Sequence, residues 1–161
     1  CAMQTYPFLI AYRQADFLQR QTQLLLQSYQ YWTRVPLIPP SACPVQDLMD
    51  FAYPIASHIA SDDPQFNYAN HAALALFRMQ DEDFLGLPSR YSASPMLRER
   101  RAAFLAEVTK NGFVENYSGV RIAKDGSRFL IEQATVWNVI DIAVPEDVLG
   151  QAVVIKKWTP L

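Results

Sequence analysis

The stretch FVENYSGVRIAKDGSRFLIEQATVWNVI, residues 113–140, decides the fold class. At its middle, Lys124-Asp125-Gly126 is a strong hairpin signal, because an Asp-Gly pair accepts the backbone angles of a tight primed turn. The flanks are rich in β-branched and aromatic residues, which predicts strands over 113–122 and 127–140. On strict alternation, one face of the second strand carries Phe129, Ile131, Gln133, Thr135, Trp137 and Val139. The other carries Leu130, Glu132, Ala134, Val136, Asn138 and Ile140. Both faces are mostly apolar, so neither is simply solvated and both sides of the sheet must be covered.

Working outward, a third strand is predicted over 148–158, after a loop holding Pro145. Upstream, residues 96–110 read as a helix marked by Leu97, Arg101, Phe104, Leu105 and Val108 and ended by Asn111-Gly112. Residues 87–95 read as loop. Two short strands are predicted over 53–59 and 65–69, joined by the turn Ser61-Asp62-Asp63-Pro64. Asn70 is placed to cap a helix over 71–79, and Asp81 to cap a further turn that Gly86 ends. Residues 46–52 form a short helical turn. Residues 12–33 contain no Pro or Gly, and Leu18, Leu25, Tyr29 and Trp32 recur on one helical face. That helix stops before Pro36, Pro39, Pro40 and Pro44, a stiff connector. The division expected is a helix with its connector over 1–44, then a domain over 45–161. Strands gathered in runs around helices give an α+β fold with a five-stranded antiparallel sheet, short helices on one face and the N-terminal helix flanking the other.

Composition narrows the function classes. The chain has 161 residues, half of them hydrophobic, which supplies one sizeable core. The net charge of −2 gives no whole-chain basic footprint, so nucleic acid is not an expected partner. No apolar run reaches the length of a membrane span. Two cysteines, Cys1 and Cys43, make no disulfide framework or zinc ribbon, and the chain reads as cytoplasmic. It begins at Cys1, which fits either a lipid-modified end or a remnant before Met3.

The order of elements resembles a PAS domain. Phe66-Asn67-Tyr68-Ala69-Asn70 leading into His71–Phe77 resembles the PAS strand-to-helix entry, and Asp81–Pro88 the acidic turn that follows. A closer resemblance is to the MEKHLA family of PAS-like domains, known as small bacterial proteins and at the C-terminus of plant homeodomain–leucine zipper regulators. It is carried by Ser57-His58, Phe66–Asn70, Leu87-Pro88-Ser89-Arg90, Arg98–Arg101, Tyr117-Ser118-Gly119-Val120-Arg121, Ala134–Asn138 and Gly150-Gln151-Ala152. The string that names the family is absent, as are a homeodomain and a zipper, so a transcription-factor role does not carry over.

The resemblance implies a sensory module with a pocket between sheet and helices. The lining residues expected are Tyr68, Phe77, Phe104, Tyr117, Gln133, Thr135, Trp137, Asn138 and Gln151. Amides in apolar strands need partners, so Asn138 and Gln151 stand out. The bland reading is a filled core with these groups satisfied internally. Gln151 sits on the strand where light-sensing relatives place a flavin-contacting Gln. Those relatives also need a helical Cys, and none lies between 44 and 161, which excludes a cysteinyl–flavin adduct but leaves a non-covalent flavin or other small aromatic molecule. Haem-binding relatives use a His on the longer helix, and 96–110 has none. His58 and His71 read as local hydrogen-bonding and surface or cap residues, and no metal-ligand spacing occurs. An enzyme would have to use His58 with Asp62 or Asp63 as acid and base, without a nucleophile elbow or phosphate loop. Arg98, Arg100 and Arg101, with Arg90, form either an anion site or a solvated face. Arg121 and Arg128 are placed to pair with Glu115 or Glu132 across strands. The alternative to a ligand-binding sensor is an interaction module with a filled core. In it Leu18, Leu25, Tyr29 and Trp32 cover the sheet or join a homodimer or partner protein.

Overall fold

The computed structural model describes residues 12–93 and 95–161. Cys1, Met3 and the side chains of Leu97, Arg98, Arg101 and Leu105 lie outside what is described. Helix α1 spans Ala15–Thr33, and α2 spans Pro44–Met49. Strands β1 (Ile55–Ile59) and β2 (Phe66–Ala69) follow, then α3 (His71–Phe77), α4 (Asp81–Phe84), a 3₁₀ turn (Ser89–Ser92) and α5 (Pro95–Asn111). Strands β3 (Phe113–Ile122), β4 (Arg128–Ile140), β5 (Val148–Val154) and β6 (Lys157–Pro160) complete the chain. The sheet is antiparallel in the order β2-β1-β5-β4-β3, and β6 adds to β4 beyond the end of β5.

The last strand is thus two. The expected single strand over 148–158 leaves β4 after Val154 and rejoins it at Lys157, pairing Glu132 with Lys157 and Phe129 with Pro160. The thirteen residues of β4 outrun β5, and β6 fills the remaining edge, which would otherwise expose unpaired backbone. The sheet therefore has six strands rather than five.

Local chemistry sets the ends of the helices. Asn70 is fully buried, and its Oδ1 accepts from Ala73 N–H at 3.0 Å and Ile55 N–H at 2.9 Å. Its Nδ2 donates to the carbonyls of Leu48 and Tyr53. One amide caps α3 and also ties it to the segment before β1. The next cap falls one residue earlier than expected. Gln80 holds the N-cap position of α4, and its N–H donates to the Asp83 carboxylate at 3.3 Å. Helix α1 ends with Arg34 in the left-handed region (φ 69°), just before the prolines.

Two apolar layers sandwich the sheet. On one side α1 and the connector contribute Leu24, Leu25, Tyr29, Leu37 and Ile38 to a cluster with Trp137, Val139, Ala152 and Val154. Leu18 and Trp32 pack at its rim. On the other side α3 and α4 lay Ala73, Phe77 and Phe84 against Ala56, Phe66, Phe129, Ile131 and Ala134.

Candidate functional site

Two irregularities in the β3–β4 ribbon decide which side chains reach the helix side of the sheet. Asn116 (φ 57°) and Gln133 (φ 51°) both sit in the left-handed region, and the register slips on either side of Tyr117. Each bulge inserts an unpaired residue and reverses the alternation beyond it. Phe129 and Ile131 therefore share a face with Ala134, Val136 and Asn138. Thr135, Trp137 and Val139 turn to α1.

That shift corrects the expected lining. Gln133 is exposed at the bulge and lines nothing. Trp137 is fully buried on the α1 side, where its Nε1–H donates to Ser28 Oγ at 3.0 Å and its ring meets Tyr29 edge-on at 5.0 Å. Thr135 is buried on the same side. Tyr68 also belongs to the α1-side cluster. A bulge that leaves Asn67 extra between the pairs Ser57–Tyr68 and His58–Phe66 separates it from Phe66. Its hydroxyl is buried with no hydrogen-bond partner, and burial pushes its pKa well up.

The other expected residues come together. Phe77, Phe104, Tyr117 and Gln151 line an inner cavity under α5, with Ile131, Val136, His58 and Arg121. Asn138 does not line it: its side chain is taken up by Gln151 and by the Val108 carbonyl. Across the sheet Asn138 pairs with Gln151, and Gln151 with His58, which sets three polar side chains in one row on the helix face. Gln151 Nε2–H donates to Asn138 Oδ1 at 3.2 Å and to Thr109 Oγ1 at 3.4 Å. Asn138 Nδ2–H donates to Val108 O at 2.9 Å. The amides are thus satisfied in part by each other and in part by the last turn of α5, which they pin to the sheet. His58 Nδ1 lies 3.0 Å from Ile59 O, the local contact expected of it, yet its ring faces the cavity.

The cavity offers about 60 Å³ to the centres of water-sized groups. Past His58 and Gln151 lies an outer groove of about 610 Å³ by the same measure, between α5 and the β1–β2 turn, bordered by Ala102, Ala106, Asp63 and Arg90. Helix α5 rests on β3 and β4, and its described residues on the groove are Ala102, Ala106 and Thr109. Arg90 grips Asp63 through two hydrogen bonds of 2.9 and 3.3 Å. The inner cavity does not fit a flavin ring system as it stands, since cavities for ligands of that size run to several hundred Å³. Cys43 is exposed and lines neither the cavity nor the groove. Among the described residues no group of three His, Cys, Asp or Glu side chains could hold a metal.

Sequence reasoning missed Arg121. Neither Glu115 nor Glu132 pairs with Arg121 or Arg128 among the described residues. Arg121 Nη2–H donates instead to Tyr117 Oη at 2.8 Å, and its guanidinium lies over the Tyr117 ring. Tyr117, Gly119 and Arg121 share a strand face, a spacing that was visible in Tyr-Ser-Gly-Val-Arg. His71 pairs with Asp50 at the surface.

An antiparallel sheet with short helices over a pocket on one face is the arrangement of a PAS-like fold, and comparison with solved structures agrees. A PAS domain from Colwellia psychrerythraea matches with a TM-score of 0.60 at 14% identity, over 70% of this chain and 91% of that one. A variant of the fungal photoreceptor VVD matches with a TM-score of 0.56 at 18% identity, over 80% and 89%. The PAS domain of a LuxR-family transcriptional regulator from Burkholderia thailandensis, in complex with ethanol, matches with a TM-score of 0.53 at 17% identity, over 72% and 95%. The MEKHLA domain model matches residues 19–160, and the chain belongs to the MEKHLA domain family. No curated protein matches it. No helix among the described residues is long and apolar enough to cross a membrane.

Proposed function

We propose that this MEKHLA domain is a sensor that binds a small molecule between the sheet and α5 and passes the bound state to a partner protein or a second copy. One observation carries the reading: a cavity with directed polar groups lies on the helix face, opposite the buried cluster that α1 makes with the same sheet. A PAS domain with ethanol bound shares the fold, which supports a ligand of that order of size. The route outward runs through Asn138. Its side chain holds α5, its carbonyl accepts the Trp32 indole N–H of α1 at 2.9 Å, and its N–H donates to Gly112 O at 2.8 Å. A ligand that favours one arrangement of this junction biases α1, which serves as output to the sensing body at 45–161. The reading places the module in the cytoplasm and requires no catalytic step.

Native mass spectrometry of protein purified from its own host tests this. The expected result is an added small mass in the wild type that is missing in Ile131→Trp, a substitution that fills the cavity. Bare mass in the wild type, with a dimer that persists unchanged in Ile131→Trp, would instead support an interaction module with no ligand.

A further inference from the structure

The cation at the inner cavity has no counter-charge. Arg13, Arg20, Arg78 and Arg90 each pair with an aspartate. Arg121 is half-buried, lines the cavity and makes no ion pair among the described residues. No Asp or Glu lines the inner cavity. A guanidinium held against apolar walls without a carboxylate is a site for an incoming anion, because its planar fork matches two carboxylate oxygens.

Arg121 is also held in place. Phe104 stacks on Tyr117 with ring centroids 4.1 Å apart. The Tyr117 ring lies along the strand over Gly119, where an added Cβ would stand 3.0 Å from the Tyr117 hydroxyl and 3.3 Å from Cζ. The absence of a side chain at 119 lets the hydroxyl reach Arg121. The Arg121 backbone bridges Ala93, beside Ser92 of the cavity rim. Besides Ser57, His58 and Gln151, the remaining wall is apolar, with Phe66, Phe77, Ile131, Val136 and Ile155. An inorganic oxyanion would leave its remaining oxygens against these walls unpaired. A cavity that holds benzene measures about 150 Å³, so the smaller space here takes a ligand with fewer non-hydrogen atoms than benzene.

We infer that the inner cavity takes a short-chain aliphatic monocarboxylic acid, with its carboxylate on Arg121 and its alkyl chain among Phe66, Phe77 and Ile131. This inference rests on the reading of the cavity as a ligand site, and the test separates the two.

Isothermal titration calorimetry with sodium propanoate and with 1-propanol, at matched ionic strength, uses the full chain in wild-type, Arg121→Gln and Arg121→Lys forms. The wild type is expected to bind both. Arg121→Gln is expected to weaken propanoate by about tenfold, the loss of one charge-assisted contact, and to leave 1-propanol unchanged. Arg121→Lys keeps the charge but not the fork and falls between. Equal propanoate affinity in Arg121→Gln and wild type, or a wild type that binds 1-propanol but not propanoate, overturns the acid and leaves the ligand cavity standing. A wild type that binds neither overturns both. If Arg121→Gln loses 1-propanol as well, the lysine variant decides: weaker propanoate with unchanged 1-propanol supports the site, and unchanged propanoate overturns it.

Discussion

The two faces of one sheet differ in how their space is used. On the α1 face, Trp137, Leu25, Leu48, Ile55 and Val154 are fully buried and close-packed, and three polar contacts fix the helix on them. Trp137 donates to Ser28, Trp32 to the Asn138 carbonyl, and Gln21 Nε2–H to Ser57 Oγ at 3.0 Å, with Ser57 Oγ–H donating to Asn67 Oδ1 at 2.6 Å. On the α5 face, the helix is pinned at its C-terminal end by Asn138 and Gln151, and space remains beneath it. The same strands supply both faces, so the difference comes from what covers them. A long amphipathic helix fills one side. On the other, α5 presents Ala102 and Ala106 to the outer groove.

Substitutions can break that contrast. The largest effect is expected from Trp137→Ala, which empties the centre of the filled face and leaves the Ser28 hydroxyl without its indole partner. Chemical denaturation should show a loss of about 3–5 kcal/mol. A loss below about 1 kcal/mol would mean that the α1 face is not the structural core. Next come two matched enlargements. Ala152→Val adds a methyl pair to the filled face and should cost about 1–3 kcal/mol. Ala56→Val adds it on the cavity face, where there is room, and should stay within about 0.5 kcal/mol of wild type. Equal costs for the two would erase the distinction.

Smaller effects sharpen it. Tyr68→Phe removes a buried hydroxyl that has no partner and should raise stability by about 1 kcal/mol in the same denaturation assay. A clear loss would show that the hydroxyl is satisfied in solution. Asp125 serves as a control outside both faces. Hydrogen bonds from the Ser127 side chain and backbone, aided by the Arg78 guanidinium, hold its carboxyl at about 2. A depressed folded value stabilises the fold above the unfolded carboxyl's 3.8, and that contribution is lost as pH falls through about 2. Carboxyl NMR titration should find it there, and Ser127→Ala should move it upward. A wild-type midpoint near 3.8 would contradict the assigned bonds.

The sequence carried the outline of this molecule more clearly than the site. Asp125-Gly126 marked the hairpin, Asn70 marked the cap, and the two apolar faces of β4 called for cover on both sides. The bulges were hidden. Asn tolerates left-handed backbone, so Asn116 was a faint signal, but Gln133 gave none, and its strain is imposed by tertiary pairing. Because each bulge flips every residue beyond it, one missed position moved Thr135 and Trp137 into the expected pocket and kept Val136 out. Gln151 does line the cavity, while Asn138 is buried beside it and paired, since buried amides demand partners whichever face they occupy. Arg121 was misplaced because cross-strand charge pairing was assumed at a position where Gly119 instead opens a path to Tyr117.

The central claim is that the wall formed by Ile131, Val136 and Val153 under α5 borders open space, while the cluster of Leu25, Val139 and Val154 under α1 is packed. Methyl-resolved NMR of the protein under xenon pressure tests it directly, because xenon enters apolar cavities without needing a polar anchor. Methyl groups of Ile131, Val136 and Val153 should shift on xenon addition, while those of Leu25, Val139 and Val154 should not. Shifts at the second set, or at neither, would contradict the account.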